Sequence, residues 1–172
     1  MKNKFMLEIR EADMKDYREL KRIALKSYDT SIDPERRYRL VRLLFCRYFS
    51  YRKLKARSKL GEWIFVGCEN NKVVGFFEME KNGLLSSLYV LPEKQGCGYG
   101  RALLQKALAV ARQAQFQYVD LDASCFAQAF YEHFGFRQNG QKKVVLGIAM
   151  IPMRLHLCAG KHKNTEFHKK KS

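Results

Sequence analysis

No stretch of this 172-residue chain approaches the roughly 20 consecutive apolar residues that span a bilayer. The first twenty residues carry Glu8, Glu11 and Asp13, so no secretory leader is written there. A soluble, cytoplasmic protein is the expectation. Five cysteines are present, but they are odd in number, widely spaced and without a C-x-x-C pair. Neither a disulfide framework nor a zinc site is indicated. The four histidines form no H-E-x-x-H, so no metal site is expected. There is no internal repeat and no Walker pattern G-x-x-x-x-G-K-[ST]. The hydrophobic fraction, 47%, excludes wholesale disorder. The length fits one compact domain, expected over residues 1–157.

Acidic residues are the most conspicuous local absence. From Arg36 to Lys59 there are ten Lys or Arg and no Asp or Glu. The chain closes on KHKNTEFHKKKS, with five Lys and one Glu, read as a disordered basic tail over 158–172. The net charge is +16. Such a run is either an electrostatic footprint for a polyanion or a solvated helix face. Leu40, Leu43, Leu44, Arg47 and Tyr48 stand at helical spacing and read as the stripe on which this helix packs.

Along the chain, Phe5–Arg10 alternates as a first strand. Asp13 can cap the following helix, with Asp16 in its first turn and Tyr17, Leu20, Ile23 and Ala24 on its apolar face. Asp33-Pro34 opens a second helix that runs to about Ser58, with or without one break, before Gly61. Residues 63–68, 72–80 and 84–91 then read as a three-stranded meander turned at Asn70-Asn71 and Asn82-Gly83. A Gly-rich loop follows at 95–100. A helix is predicted over Arg101–Ala114, a strand over Tyr118–Ala123, a short helix over Phe126–Phe134 stopped by Gly135, and final strands at 137–139 and 144–155. The class is α+β: a mixed, mostly antiparallel twisted sheet of about 6–7 strands, about 4 flanking helices and a central β-loop-α-β unit.

Gln95-Gly96-Cys97-Gly98-Tyr99-Gly100 lies between a strand and a helix. Alternate glycines let successive N–H groups turn into one concavity, and the helix adds its positive end. That arrangement suits a pyrophosphate. The loop alone also fits a plain flexible turn. A dinucleotide-binding fold fits less well, because the glycines read G-x-G-x-G and follow a meander.

Two linked blocks carry a resemblance. LYVLPEKQGCGYGRALL, residues 88–104, resembles the acetyl-CoA signature of the GNAT superfamily of N-acetyltransferases. DASCFAQAFYEHFGF, residues 122–136, resembles the family's A-x-x-F-Y-x-x-x-G-F block. The resemblance covers nearly the whole domain. It implies acetyl-CoA as donor, with Gln95, Gly96, Cys97, Gly98, Tyr99, Gly100 and Arg101 at its pyrophosphate. It implies Leu88, Tyr89 and Val90 along its pantetheine arm, and the Val90 N–H at the acetyl carbonyl. Tyr131 takes the place of the family's general acid. The family's usual Asn becomes Ser124.

A further departure concerns the base. Some members carry Glu on the strand before the loop, and here that region reads Leu84-Leu85-Ser86-Ser87. Glu78 and Glu80 on the preceding strand are the nearest acids, with solvent-facing positions an equal reading and a water chain another. The implied reaction is direct transfer to an amine, with no acyl-cysteine at Cys97 or Cys125. The basic helix favours a neutral or acidic acceptor over a polycation. The competing reading is a non-catalytic module that binds acetyl-CoA, nucleic acid or an anionic membrane through residues 36–59. Monomer and homodimer both stay open.

Overall fold

The structure is a computed structural model that describes residues 7–31, 39–145 and 148–157. The expectations for Phe5, Asp33-Pro34 and the tail at 158–172 lie outside these residues. Among them the chain forms eight strands and five α-helices in two four-stranded sheets. β1 (Glu8–Glu11), β2 (Trp63–Glu69), β3 (Lys72–Met79) and β4 (Leu85–Val90) pair in that order, all antiparallel. β5 (Tyr118–Ser124) pairs β8 (Ile148–His156), which also holds β6 (Arg137–Gln138) and β7 (Lys143–Val145).

The first helix, α1 (Tyr17–Ser31), follows a single 3-10 turn closed by a capping box. The Asp13 carboxylate accepts from the Met14 N–H at 2.6 Å, and the Asp16 carboxylate accepts from the Asp13 N–H at 2.8 Å. Arg10 from β1 donates to both Asp16 oxygens, which holds that carboxyl below its ordinary range. Tyr17, Leu20, Ile23 and Ala24 are buried as their spacing predicts.

The predicted second helix is two: α2 (Arg39–Tyr48) and α3 (Tyr51–Lys59). The chain breaks at Phe49-Ser50, where Ser50 is extended, and this turns both Phe49 and Leu54 into the core. The packed face of α2 is not the expected one. Val41, Phe45 and Phe49 meet the core, whereas Leu40, Leu43 and Leu44 are exposed. Both triads recur at helical spacing, so periodicity alone cannot choose between them.

Asn70 and Asn71 both take positive φ, 49° and 62°, in the two-residue turn between β2 and β3. A bulge between Glu78 and Met79 shifts the register of β4. α4 (Tyr99–Gln113) packs Leu104, Ala107, Leu108 and Ala111 against the sheet. α5 is short, Gln128–His133, and leaves Phe126 exposed. The long final strand predicted over 144–155 is instead a hairpin, with Val145 opposite Ile148.

Candidate active site

β4 and β5 are neighbours that do not form a ladder. Their link is one parallel bridge, Leu84 to Asp120, with the Asp120 N–H donating to the Gly83 carbonyl at 3.1 Å. Beyond it the two sheets part, toward Val90 on one side and Ser124 on the other. The Leu91 N–H bonds the Val74 carbonyl at 2.8 Å. In an antiparallel ladder bonded and non-bonded pairs alternate. Tyr89 therefore spends its main chain on Phe76 of β3, whereas Leu88 and Val90 turn their N–H and C=O groups away from β3. The Val90 carbonyl accepts from Ser27 Oγ at 3.1 Å and, more weakly, from Gln95 Nε2 at 3.4 Å. The three residues expected along the donor's arm thus divide. Leu88 and Val90 offer main-chain edges, while Tyr89 packs its ring against Phe76, Phe49 and Phe45.

The Gly-rich loop follows directly. Gly96 and Gly98 have φ of +77° and +83°, and a Cβ on either would meet no atom within 4 Å. Backbone conformation and open space, not packing, call for glycine at these two sites. Gly98 is the N-cap of α4. The helix starts two residues earlier than predicted, so Tyr99 and Gly100 lie in its first turn rather than in the loop. The first helical bond there is Ala102 N–H to the Gly98 carbonyl, 3.1 Å. The N–H groups from Gly96 to Arg101 have no hydrogen-bond partner among the described residues, whereas that of Gln95 is spent on Pro92. Six consecutive donors at a helix N-terminus form an anion receptor.

Side chains anchor the loop at both ends. Lys94 before it and Tyr99 after it both donate to the Glu69 carboxylate at the end of β2. The Tyr99 N–H stays with the loop donors, while its hydroxyl serves this anchor, and the Glu69 contact pushes its pKa up to about 12. Arg101 is exposed and turned toward α5, its Nη2 3.2 Å from His133 Nε2 and its guanidinium 5.6 Å above Phe134. Cys97 is exposed in the loop.

Across the opening, α5 holds Tyr131 edge-on to Phe130 and Phe136. The residue is buried, and burial lifts its phenol well above the ordinary tyrosine value. Its hydroxyl makes no hydrogen bond to another described residue, and burial is the one cause of its raised value. Ser124 is half-buried at the end of β5, opposite Met150, and its carbonyl accepts from the Ala127 N–H at 3.0 Å.

The candidate bases are placed differently from expectation. Glu78 is 0% exposed, not solvent-facing. Arg57 of α3 donates to its two oxygens at 3.0 and 3.3 Å, and Ser87 Oγ donates to Oε2 at 2.9 Å. Burial still raises its pKa. Glu80 lies beyond β3 and accepts from the Asn82 side chain at 3.2 Å. Sequence reasoning missed Glu62. Its Oε2 lies 3.5 Å from Arg57 Nε, is buried, and makes no hydrogen bond. Burial raises this carboxyl too. Glu62 joins the cluster across the turn from α3 to β2, where its N–H donates to the Arg57 carbonyl at 3.2 Å, and the pairing of β2 with β3 brings Glu78 alongside.

Comparison with known proteins agrees with this geometry. The family model of the GNAT acetyltransferase domain matches residues 36–157. An uncharacterized N-acetyltransferase of Archaeoglobus fulgidus is 33% identical over 125 residues, 67% of this chain and 80% of the relative. A [ribosomal protein bS18]-alanine N-acetyltransferase of Haemophilus influenzae is 31% identical over 80 residues, 44% of this chain and 55% of its own. Among solved structures, the PaiA N-acetyltransferase of Thermoplasma acidophilum in complex with coenzyme A superposes with a TM-score of 0.73 at 19% identity, covering 88% of this chain and 99% of that one. The chain belongs to the GNAT family of N-acetyltransferases and is an acyltransferase.

Proposed function

We propose that residues 1–157 act as one catalytic domain that moves an acetyl group from acetyl-CoA directly to a primary amine. The observation that carries this reading is the parted edge of β4 leading into six unpaired N–H donors. A pyrophosphate supplies the charge those donors lack, and the absence of any atom within 4 Å of a Cβ at Gly96 or Gly98 leaves room for close approach. Relatives named as N-acetyltransferases and a coenzyme A complex of the same fold support the choice of donor.

When bound, the thioester supplies an activated acyl carbon. The reaction forms one C–N bond and breaks one C–S bond; the amine gives up a proton and the sulfur gains one. The Val90 N–H is aimed where charge grows on the acetyl oxygen. Tyr131 is the donor to the departing sulfur. Its raised pKa keeps the phenol protonated through neutral pH, so it holds a hydrogen bond on the sulfur as charge develops there. Leu88 and the Gly96–Arg101 donors bind and orient, with Ser124 at the opposite wall.

The acceptor amine reaches the carbonyl from the side of α1 to α3, where the cations of α2 and α3 favour a neutral or acidic acceptor. The Haemophilus relative is named for an alanine of a ribosomal protein, which makes peptide N-termini the first acceptors to try. The test is thiol release from acetyl-CoA across amines and peptide N-termini, beside a melting curve with acetyl-CoA. At 100 times Kd the donor should add about 2.7 kcal/mol of stability. A melting curve unmoved by millimolar acetyl-CoA would sink the reading.

A further inference from the structure

α2 carries two apolar faces, and the fold uses one. Val41, Phe45 and the following Phe49 pack inward. Leu40 is 66% exposed, Leu43 63% and Leu44 38%. At 100° per residue these three and Arg47 fall in one sector about 100° wide on the outer side of the helix. A contiguous apolar face left in water marks a surface that something covers.

The charge around it identifies what. Between Arg39 and Lys59 the sequence has eight Lys or Arg and no Asp or Glu. Two are committed within the fold, Arg42 to Asp29 at 2.9 Å and Arg57 to Glu78 at 3.0 Å. Of the other six, Lys55 is half-buried, and Arg39 and Arg47 on α2 and Arg52, Lys53 and Lys59 on α3 are exposed. A second copy docked face to face would oppose these like charges on chains of net charge +16. A nucleic acid would satisfy the cations and leave the leucines in water. A helix that shows leucines on its outer side with arginines among and beside them matches a surface that is apolar beneath and anionic above.

We propose that the outer face of α2 docks on an anionic lipid bilayer. Leu40, Leu43 and Leu44 enter the boundary of the acyl chains, and Arg39 and Arg47 stay at the phosphates. The helix lies in the interface and does not cross it; no helix among the described residues is long and apolar enough to span a membrane. The proposal is independent of the acetyl-transfer reading, because its test needs neither donor nor acceptor.

The test is co-sedimentation of the full chain with vesicles of phosphatidylcholine alone and of an equal mixture with phosphatidylglycerol, beside a duplex DNA fragment. The protein should partition onto the anionic vesicles and not the neutral ones. The triple variant Leu40→Ser, Leu43→Ser, Leu44→Ser should lower that partitioning about tenfold or more at an unchanged melting temperature. Arg39→Gln and Arg47→Gln should each lower it about fivefold. Three outcomes would overturn the proposal. Equal partitioning of the triple-leucine variant would mean adsorption by charge alone. Retention of DNA without vesicle binding would assign the surface to nucleic acid. A marked fall in the variant's melting temperature would place the leucines in the core.

Discussion

The mouth between β4 and β5 and the ion cluster beneath α3 sit on adjoining strands, yet they are finished in opposite ways. At the mouth, the donors from Gly96 to Arg101 and the outward edges of Leu88 and Val90 have few partners of their own. Beneath α3, Glu78 is held by three hydrogen bonds from Arg57 and one from Ser87, and among the described residues the one buried side-chain oxygen without a hydrogen bond is Glu62 Oε2. A polar group sealed from water must be satisfied from within the chain, while one at a surface can be left for a ligand. The first region therefore reads as a binding surface. The second reads as a charge lock between α3 and the β2–β3 pair.

The largest effect should come from breaking the lock. Arg57→Met leaves the buried Glu78 and the half-buried Glu62 without their cation, and denaturant melts should show a loss of about 3–5 kcal/mol. Acetyl-CoA affinity of the surviving folded protein should hold, since Arg57 touches nothing at the mouth.

Next comes the mouth itself. Gly98→Asp places a negative side chain beside the proposed pyrophosphate and should weaken acetyl-CoA about 100-fold or more by calorimetry. Gly100→Ala should change it less than about threefold, because a Cβ there meets Phe130 only at 3.7 Å, an ordinary contact. Equal losses in the two variants would mean that the loop fails by folding rather than by charge.

Tyr131→Phe should lower kcat about 10²-fold while acetyl-CoA affinity stays within about threefold. The rings of Phe130 and Phe136 keep their partner, so stability should barely move. Burial keeps the phenol neutral, so Tyr131 should contribute no alkaline fall in rate below its ordinary value of 10.0.

The smallest effect is the most discriminating for the lock. Burial holds the Glu62 carboxyl above its ordinary 4.5, so the native state binds that proton more tightly than the unfolded chain does. The resulting penalty is present above the raised value and disappears as pH falls toward 4.5. Glu62→Gln should therefore stabilise by about 1 kcal/mol above neutrality and by nothing near 4.5, read from melts at the two pH values. Destabilisation at both would show that Glu62 carries its weight as a partner of Arg57.

Much of this was legible in the sequence, for identifiable reasons. Asn70-Asn71 and Asn82-Gly83 announce turns by their own chemistry, and Gly96 and Gly98 take the positive φ their spacing suggested. Leu104, Ala107, Leu108 and Ala111 mark one side of the buried face of α4, which the fold widens to Tyr99, Leu103 and Val110. On α2 two stripes share one period, and choosing between them needs the sheet beneath. The anchoring role of the Tyr99 hydroxyl has no sequence signal, because its partner, Glu69, is 30 residues away. For Glu78 the sequence leaves a base and a solvent-facing position both open, because Arg57 reaches it from another element. Residues whose roles depend on a neighbour's side chain across the fold were the ones missed; those set by local backbone chemistry were not.

The central claim is that the N–H groups of Gly96 to Arg101 are a receptor left for the donor. The direct measurement is amide nuclear magnetic resonance of the isotope-labelled chain titrated with acetyl-CoA. The account predicts that the amide protons of Gly96, Cys97, Gly98, Tyr99, Gly100, Arg101 and Val90 move downfield together as they take up hydrogen bonds, while that of Gln95, already spent on Pro92, moves least. Saturable binding that leaves the Gly96–Arg101 amides in place would contradict it.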